Sequence, residues 1–172
     1  MKLERCKVVC LVAMVAFSAF AAFGQTDVFS DPNVDYSFAL PEATWKLTVR
    51  PSATNPNVEY VYGDRKDGHL SVRKLSVAKD AILSDVVQDE GHNKVQFSLG
   101  YVAGKEENFS GKLRGSVFNY EYVAAGKPMA GRFYFLRANE TTVYILRFVG
   151  PKDGLRGLRN QTDSIARTFG VK

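Results

Sequence analysis

The sequence predicts an α+β domain, an α/β/α sandwich in which a central antiparallel β-sheet is flanked by helices on both faces. Short stretches of alternating apolar and polar residues recur between turn residues, which is typical of antiparallel strands. The longest strand candidates, near the carboxyl end, are apolar on both sides, so both faces of the sheet need to be covered. Two stretches with helical spacing, 81–99 and 151–169, can supply that cover.

The first 24 residues have the pattern of a secretory signal peptide. Three basic residues precede an apolar run from Val8 to Phe23, and the small residues Ala22 and Gly24 mark a cleavage site before Gln25. The run is shorter than the roughly 20 residues of a membrane-spanning helix, so cleavage is favoured over the alternative of an uncleaved anchor. We expect a periplasmic or secreted protein with no stable membrane insertion after cleavage.

Removing 24 of the 172 residues leaves 148, a usual size for one domain. Both cysteines, Cys6 and Cys10, are removed, so no disulfide and no thiolate ligand is expected. Of the 23 Lys and Arg and 18 Asp and Glu residues, 20 and 17 remain, a balance too small to indicate a nucleic-acid partner. We predict a flexible, polar leader at 25–35 and a single domain at 36–172, which we expect to be a monomer.

Four short strand candidates lead into the first helix. They alternate apolar and polar residues and are separated by turn residues: Tyr36–Leu40, Thr44–Arg50, Val58–Tyr62 and Leu70–Val77. From Ala81 to about Leu99 the period becomes helical, with Leu83, Val86 and Val87 on one face. Gly91 weakens the middle of this predicted helix.

Four further strand candidates precede the last helix, and they lie near Glu107–Leu113 and at Ser116–Val123, Gly131–Arg137 and Thr141–Gly150. The last helix starts at Pro151 and has an apolar stripe made of Leu155, Leu158, Thr162, Ile165 and Phe169. On its opposite face Asp163 is four residues from both Arg159 and Arg167, which predicts local ion pairs on a solvated surface.

The final hairpin contains three arginines within apolar and aromatic strands. If the chain turns at 139–140, Arg132 lies opposite Arg147, and if it turns at 126–127, Glu121 lies opposite Arg132. These registers predict one charged row across three strands. They also place Phe133, Phe135, Tyr144, Leu146 and Phe148 together on one core face, with Tyr134 on the other.

The charged row is the candidate binding site. Its members are Glu121, Arg132 and Arg147, with Tyr134 and Asn119 one step away. A buried charge without a partner is costly, so the surplus arginine must reach solvent, find another carboxylate or bind an anion. One interpretation is therefore a satisfied ion network at the margin of the sheet. The other is a site where paired guanidinium groups hold a carboxylate of a ligand or partner. Arg137, near the turn, is expected to be exposed.

Catalytic and metal motifs are missing from the sequence. The histidines, His69 and His92, have no second histidine or cysteine at ligand spacing, and there is no nucleophile elbow, P-loop or dinucleotide fingerprint. We predict no cofactor and no metal, with both histidines at the surface. A hydrolase whose site assembles in space around either histidine is the alternative. Asn108 and Asn139 each begin a glycosylation sequon.

Two segments carry a family resemblance. The opening "YSFALPEATW" and the ending "VYILRFVGP", followed by a helix closing in "SIARTF", resemble the exported bacterial members of the PsbP-like superfamily. That fold also includes the lumenal extrinsic subunit of photosystem II and a nuclear Ran-binding protein. The resemblance implies a central antiparallel sheet between helices, and a binding or assembly role without catalysis.

These observations favour an exported, non-catalytic binding or assembly module of the cell envelope. Its expected partner is an envelope protein or a small anionic ligand. Besides the hydrolase, a purely structural envelope component is an alternative, and it predicts no pocket and a large exposed apolar patch.

Overall fold

The computed structural model describes residues 27–64 and 67–172. The predicted signal peptide and its cleavage site between Gly24 and Gln25 lie outside the described residues. The ten strands are β1 (Asp27–Ser30), β2 (Tyr36–Leu40), β3 (Trp45–Val49), β4 (Val58–Tyr62), β5 (Gly68–Ser76), β6 (Val102–Ser110), β7 (Arg114–Ala124), β8 (Lys127–Asn139), β9 (Thr142–Pro151) and β10 (Gly170–Val171). The helices are α1 (Leu83–Val87), α2 (Asn93–Val95), α3 (Lys152–Gly157) and α4 (Arg159–Thr168), and a π-helical turn (Gln88–His92) joins α1 to α2.

Seven strands form the central antiparallel sheet, in the order β3-β4-β5-β9-β8-β7-β6. A small second sheet, β1-β2-β10, packs with α3 and α4 on one face, and the segment from α1 to α2 covers the other. The predicted sandwich is confirmed, although strands outweigh the short helices. Within 27–64 and 67–172, no helix is long and apolar enough to cross a bilayer.

The last helical stretch buries the stripe that its spacing predicts. Leu155, Leu158, Thr162, Ile165 and Phe169 are all buried against the sheet. The predicted single helix is divided at Leu158, whose φ of −85° and ψ of 3° lie outside the helical region. On either side of this break, α3 packs on β8 and β9 while α4 packs on β2.

The other helical segment is shorter than predicted and spans 83–95. Gly91 lies in its π-helical turn and is buried. A Cβ added at Gly91 would lie 3.1 Å from Cζ of Phe135 and 3.4 Å from Cδ1 of Phe118. The glycine therefore permits the backbone to approach the aromatic surface of the sheet closely, and this packing outweighs its low helix propensity.

Residues 27–35 do not form the flexible leader that we expected. β1 pairs with β2, and the ring of Phe29 stacks on Phe38 with centroids 4.9 Å apart. The carboxylate of Asp31 accepts hydrogen bonds from the backbone and side chain of Asn33, which closes a turn, and Val34 is buried. Phe29 and Val34 are buried among polar turn residues and order this segment. The polar composition of the segment did not predict this order.

Both hairpin registers assumed from the sequence are wrong. β8 pairs with β9 so that Arg132 lies opposite Phe148 and Phe133 opposite Arg147, because a one-residue irregularity falls between Arg137 and Asn139. This one-residue slip moves every side chain of β9 to the other face. The five residues predicted for one core face are thus divided between the faces, with Phe133 and Phe135 toward α1 and Tyr144, Leu146 and Phe148 toward α4.

The preceding hairpin is displaced by two residues, which preserves the faces. Its turn residues are Ala125 and Gly126, with φ of 49° and 72°, so Ala124 pairs with Lys127. Asn119 is consequently opposite Arg132, and Glu121 is opposite Ala130.

Arg137 is half-buried and not simply exposed as predicted. Its Nη2 donates to the carbonyl of Ala81 at 2.7 Å, and its Nη1 donates to the carbonyl of Glu140 at 3.2 Å. The side chain therefore joins the end of the hairpin to the residues just before α1. The predicted strand near Glu107–Leu113 corresponds to β6, which begins five residues earlier.

We predict that Gly91→Val lowers the free energy of unfolding by about 1–3 kcal/mol, because the side chain overpacks against Phe135 and Phe118. The measurement is urea denaturation followed by circular dichroism. Gly157→Val is the matched control, since a Cβ there meets no atom within 4 Å, and it should change stability by less than about 0.5 kcal/mol. Equal effects at the two sites would show that close packing is not the reason for Gly91.

Candidate functional site

Arg132 lies near the middle of β8 and is only 7% exposed. Its Nη2 donates to Oδ1 of Asp163 at 2.8 Å, its Nη1 donates to Oδ1 of Asn119 at 2.6 Å, and its Nε donates to Oη of Tyr134 at 2.6 Å. The guanidinium thus has a carboxylate partner on α4 and neutral partners on β7 and β8. This arrangement satisfies the buried charge.

The hydroxyl of Tyr134 contacts Arg132, Asp163 and Thr162. Its hydroxyl donates to Oδ1 of Asp163 at 2.5 Å and lies 3.1 Å from Oγ1 of Thr162. Burial is the main cause that raises the pKa of Tyr134, so the phenol stays neutral and Asp163 carries the negative charge that balances Arg132. We call these five residues, Asn119, Arg132, Tyr134, Thr162 and Asp163, the α4–sheet network. It fixes the helix to two strands and favours the ion-network interpretation of Arg132.

Arg147 does not join this network, because the observed register places it on the opposite face of the sheet. Its Nε and Nη2 donate to Oη of Tyr120 at 3.2 and 3.0 Å, and its guanidinium lies over the ring of Phe133. Glu121 instead contacts Lys152, whose Nζ is 2.6 Å from its carboxylate. The predicted row is therefore divided among three separate sets of contacts.

Three of the predicted residues, Asn119, Glu121 and Arg132, do line one cavity of about 450 Å³. It lies between β6, β7 and β8 on one side and α3 and the start of α4 on the other. We call it the basic cleft, since its charged lining consists of the basic residues Lys105, Arg132, Lys152, Arg156 and Arg159 and the acidic residues Glu107 and Glu121.

The basic cleft has more positive charge than its own contacts neutralise. Arg132 and Lys152 have carboxylate partners, and Arg156 lies 3.4 Å from the exposed carboxylate of Asp153. Among the residues that the structure describes, Lys105, Arg159 and Glu107 have no ion pair, which leaves two unpaired cations and one unpaired carboxylate in the lining. The cleft can therefore accept an anionic group from outside the chain.

The segment that leads into β6 exposes apolar side chains. Val102, at the start of β6, lines the basic cleft, and the preceding loop exposes 90% of Phe97 and 75% of Leu99. The backbone of Leu99 is fixed to β7 by a 2.7 Å hydrogen bond from the amide of Val123. Exposed aromatic and aliphatic residues that precede a strand lining a charged pocket are typical of surfaces that bind another macromolecule.

The two histidines lie apart from the basic cleft. Nε2 of His69 is 3.2 Å from a carboxylate oxygen of Glu59, and the ring of His92 stacks on Phe118 with centroids 3.8 Å apart. Neither histidine hydrogen-bonds to a serine in the described part of the chain. Over the same residues, no group of three His, Cys, Asp or Glu side chains is placed to hold a metal ion.

Sequence reasoning missed Asp163, Lys152 and Arg159 as parts of the site. Asp163 has the spacing for local ion pairs, but its contact with Arg132 spans 31 residues and depends on how α4 docks. One available signal was the surplus positive charge within the sheet, which requires a carboxylate. Another was Thr162, a polar residue in the buried stripe directly beside Asp163.

Asp163→Asn should lower the free energy of unfolding by about 3 kcal/mol, because it leaves the guanidinium of Arg132 buried without a counter-charge. This is the lower end of the range for buried pairs, since the side chain of Asp163 is 24% exposed. Asp153→Asn is the matched control. Its side chain is 90% exposed, so the loss measured by urea denaturation should stay below about 1 kcal/mol. A cost at Asp163 no larger than at Asp153 would contradict the structural role of the network.

No family model matches the sequence, and no curated protein matches it. Among solved structures, the Ran-binding protein Mog1p of Saccharomyces cerevisiae superimposes with a TM-score of 0.63 at 10% identity, covering 86% of this chain and 96% of that one. PsbP of the cyanobacterium Synechocystis sp. PCC 6803 gives 0.58 at 15% identity, covering 91% and 99%. A protein of Bacteroides thetaiotaomicron gives 0.59 at 12% identity, covering 86% of this chain and 49% of the other. The chain therefore has the PsbP/Mog1-like fold that its sequence segments predict.

Proposed function

We propose that the chain is an exported, non-catalytic binding module of the cell envelope, and that it docks an acidic segment of a partner protein in the basic cleft. The observation that carries this proposal is the presence of Lys105 and Arg159 at one cavity without an ion pair in the described residues. An anionic group binds most favourably where the protein already holds unpaired cations around a concave surface.

Arg132 has a supporting part in this proposal. Its ion pair with Asp163 fixes the middle of α4, and Arg159 is the first residue of that helix. The network therefore sets where the guanidinium of Arg159 stands relative to β6 and β7. Arg159 offers planar, paired N–H donors to a carboxylate, whereas Lys105 offers a point charge from the opposite wall.

The exposed loop before β6 favours a protein partner over a small ion. Phe97 and Leu99 expose apolar surface that a small anion cannot cover. A segment in which acidic residues stand beside apolar ones can place its carboxylates in the cleft and its apolar side chains on this loop. Aromatic and arginine side chains together are the residue types that contribute most to protein–protein affinity.

The fold comparison agrees with a binding role by analogy. Mog1p is named as a Ran-binding protein, so the same architecture serves protein binding there. The proposed export rests on the amino-terminal pattern of basic residues, apolar run and small residues. Together they favour a partner in the cell envelope.

The test is affinity capture from envelope extract of the host, with Lys105→Glu/Arg159→Glu as the cleft variant. The wild-type chain should capture a partner, and the cleft variant should lose it because two attractive charges become repulsive. Lys46→Glu/Arg114→Glu is the matched control, since both residues are exposed and lie away from the cleft. It should capture the same partner as the wild type. Equal capture by the two variants would contradict the proposal.

Export is tested separately by fractionating cells that express the full-length sequence and sequencing the amino terminus of the exported protein. We expect the mature chain to begin at Gln25, because small residues at Ala22 and Gly24 fit the signal-peptidase pattern. Protein that keeps Met1 and stays in the cytoplasm would contradict both the signal peptide and the envelope location.

A further inference from the structure

A second cavity, of about 320 Å³, lies on the opposite face of the sheet from the basic cleft. It is bounded by β4, β5, β8 and β9 and by the segment from the π-helical turn to α2. Arg147 reaches it from β9, and its neighbours in the ladder are Ser71 on β5 and Phe133 on β8. We call it the Arg147 cavity.

The guanidinium of Arg147 has a fixed position. Two of its N–H groups donate to Oη of Tyr120, and its carbon atom Cζ is 5.4 Å from the centre of the Phe133 ring. Tyr120 can reach it because Gly131 has no side chain, since a Cβ at Gly131 would lie 2.1 Å from the tyrosine ring. A cation oriented by packing in this way loses little conformational freedom when it binds a ligand.

This orientation leaves most of the donors of Arg147 available. A guanidinium has five N–H groups, so about three remain after the two bonds to Tyr120. Over residues 27–64 and 67–172, Arg147 has no ion pair. Burial is the main cause that raises the pKa of Tyr120, so its phenol stays neutral and does not balance the charge.

The other charged groups of the cavity already have partners. Glu90 pairs with Arg73 and with Lys94, whose Nζ is 2.8 Å away, and Glu59 contacts His69 at 3.2 Å. The charged residues of the lining comprise three cations, Arg73, Lys94 and Arg147, and two carboxylates, Glu59 and Glu90. The lining of the cavity thus carries one more positive charge than negative charges. A monoanion balances it, whereas a phosphate dianion adds repulsion from both carboxylates.

The uncharged residues of the cavity lining indicate which chemical groups the ligand has besides its negative charge. Val95, Phe133 and Ile145 give the cavity an apolar side. The hydroxyl of Ser71 stands beside Arg147 in the ladder and has no hydrogen bond in the described residues, so it can donate to an anion. The volume is at the lower end of the roughly 300–1,000 Å³ found for small-molecule sites.

We propose that the Arg147 cavity binds a small monocarboxylic acid with a short apolar group. The carboxylate pairs with the guanidinium of Arg147 and accepts a hydrogen bond from Ser71, and the apolar group lies against Phe133, Ile145 and Val95. This inference goes beyond the docking of an acidic protein segment, because the site is on the other face of the sheet and takes a small molecule.

The probe for the test is hexanoate, titrated into purified ¹⁵N-labelled protein expressed from the full-length sequence. We expect saturable shifts of the backbone amides of Ser71, Arg73 and Arg147. Arg147→Met should weaken hexanoate binding on the order of tenfold or more, the effect of losing a charge-assisted bond. Arg114→Met is the matched control, as an exposed arginine remote from the cavity, and it should bind like the wild type.

A second variant and a second probe make the test conclusive even if the first variant does not fold. If Arg147→Met does not fold, Ser71→Ala serves in its place, with an expected weakening of severalfold from the lost hydrogen bond. Inorganic phosphate at the same concentration should produce smaller shifts than hexanoate. The proposal is overturned if hexanoate gives no saturable shift, if its shifts map to the basic cleft, if the folded variant binds equally well, or if phosphate binds as tightly. None of these results depends on capture of a partner by the basic cleft.

Discussion

The central constraint of this structure is that β8 and β9 are buried on both faces. Tyr134 and Phe135 are neighbours in β8 and point to opposite sides, yet both are fully buried. A sheet of this kind cannot leave one face in water, so the helices must cover both sides although they are short. The small sheet made of β1, β2 and β10 completes the cover on the α4 face. A charged side chain in the middle of these strands therefore faces a covering element and not open water, as Arg132 faces Asp163 on α4.

Arg132 and Arg147 show how the covering element decides the outcome. Both are long cations in adjacent strands, and both lie over aromatic rings. Above Arg132, α4 supplies the carboxylate of Asp163, and the charge is balanced within the protein. Arg147 has no such partner in a covering element, and among the described residues its guanidinium hydrogen-bonds only to the neutral phenol of Tyr120 on β7. The first arginine thus stabilises the fold, while the second retains the capacity to bind an anion.

The sequence predicted what depends on local periodicity. The alternation of the strands and the stripe of the last helix follow from side-chain spacing, so the two-sided sandwich and the buried face around Ile165 could be derived. The pairing of residues across strands could not, because one extra residue near Ala138 and the left-handed turn at Ala125 shift the registers. The contact of Asp163 with Arg132 also could not be predicted, because it depends on how the whole of α4 packs on the sheet.

The positions of the two cavities determine the size of ligand that each can take. The basic cleft opens beside β6, an edge strand whose residues are almost all exposed, with Phe97 projecting from the adjoining loop. A macromolecule can approach it across the edge of the sheet. The Arg147 cavity lies instead over inner strands, beneath the segment around Lys94, and its wall carries the Glu90 ion pairs. A cavity of this position and size matches the small acid proposed as its ligand. The sheet thus separates the two proposed binding sites, one for an acidic protein segment and one for a small acid.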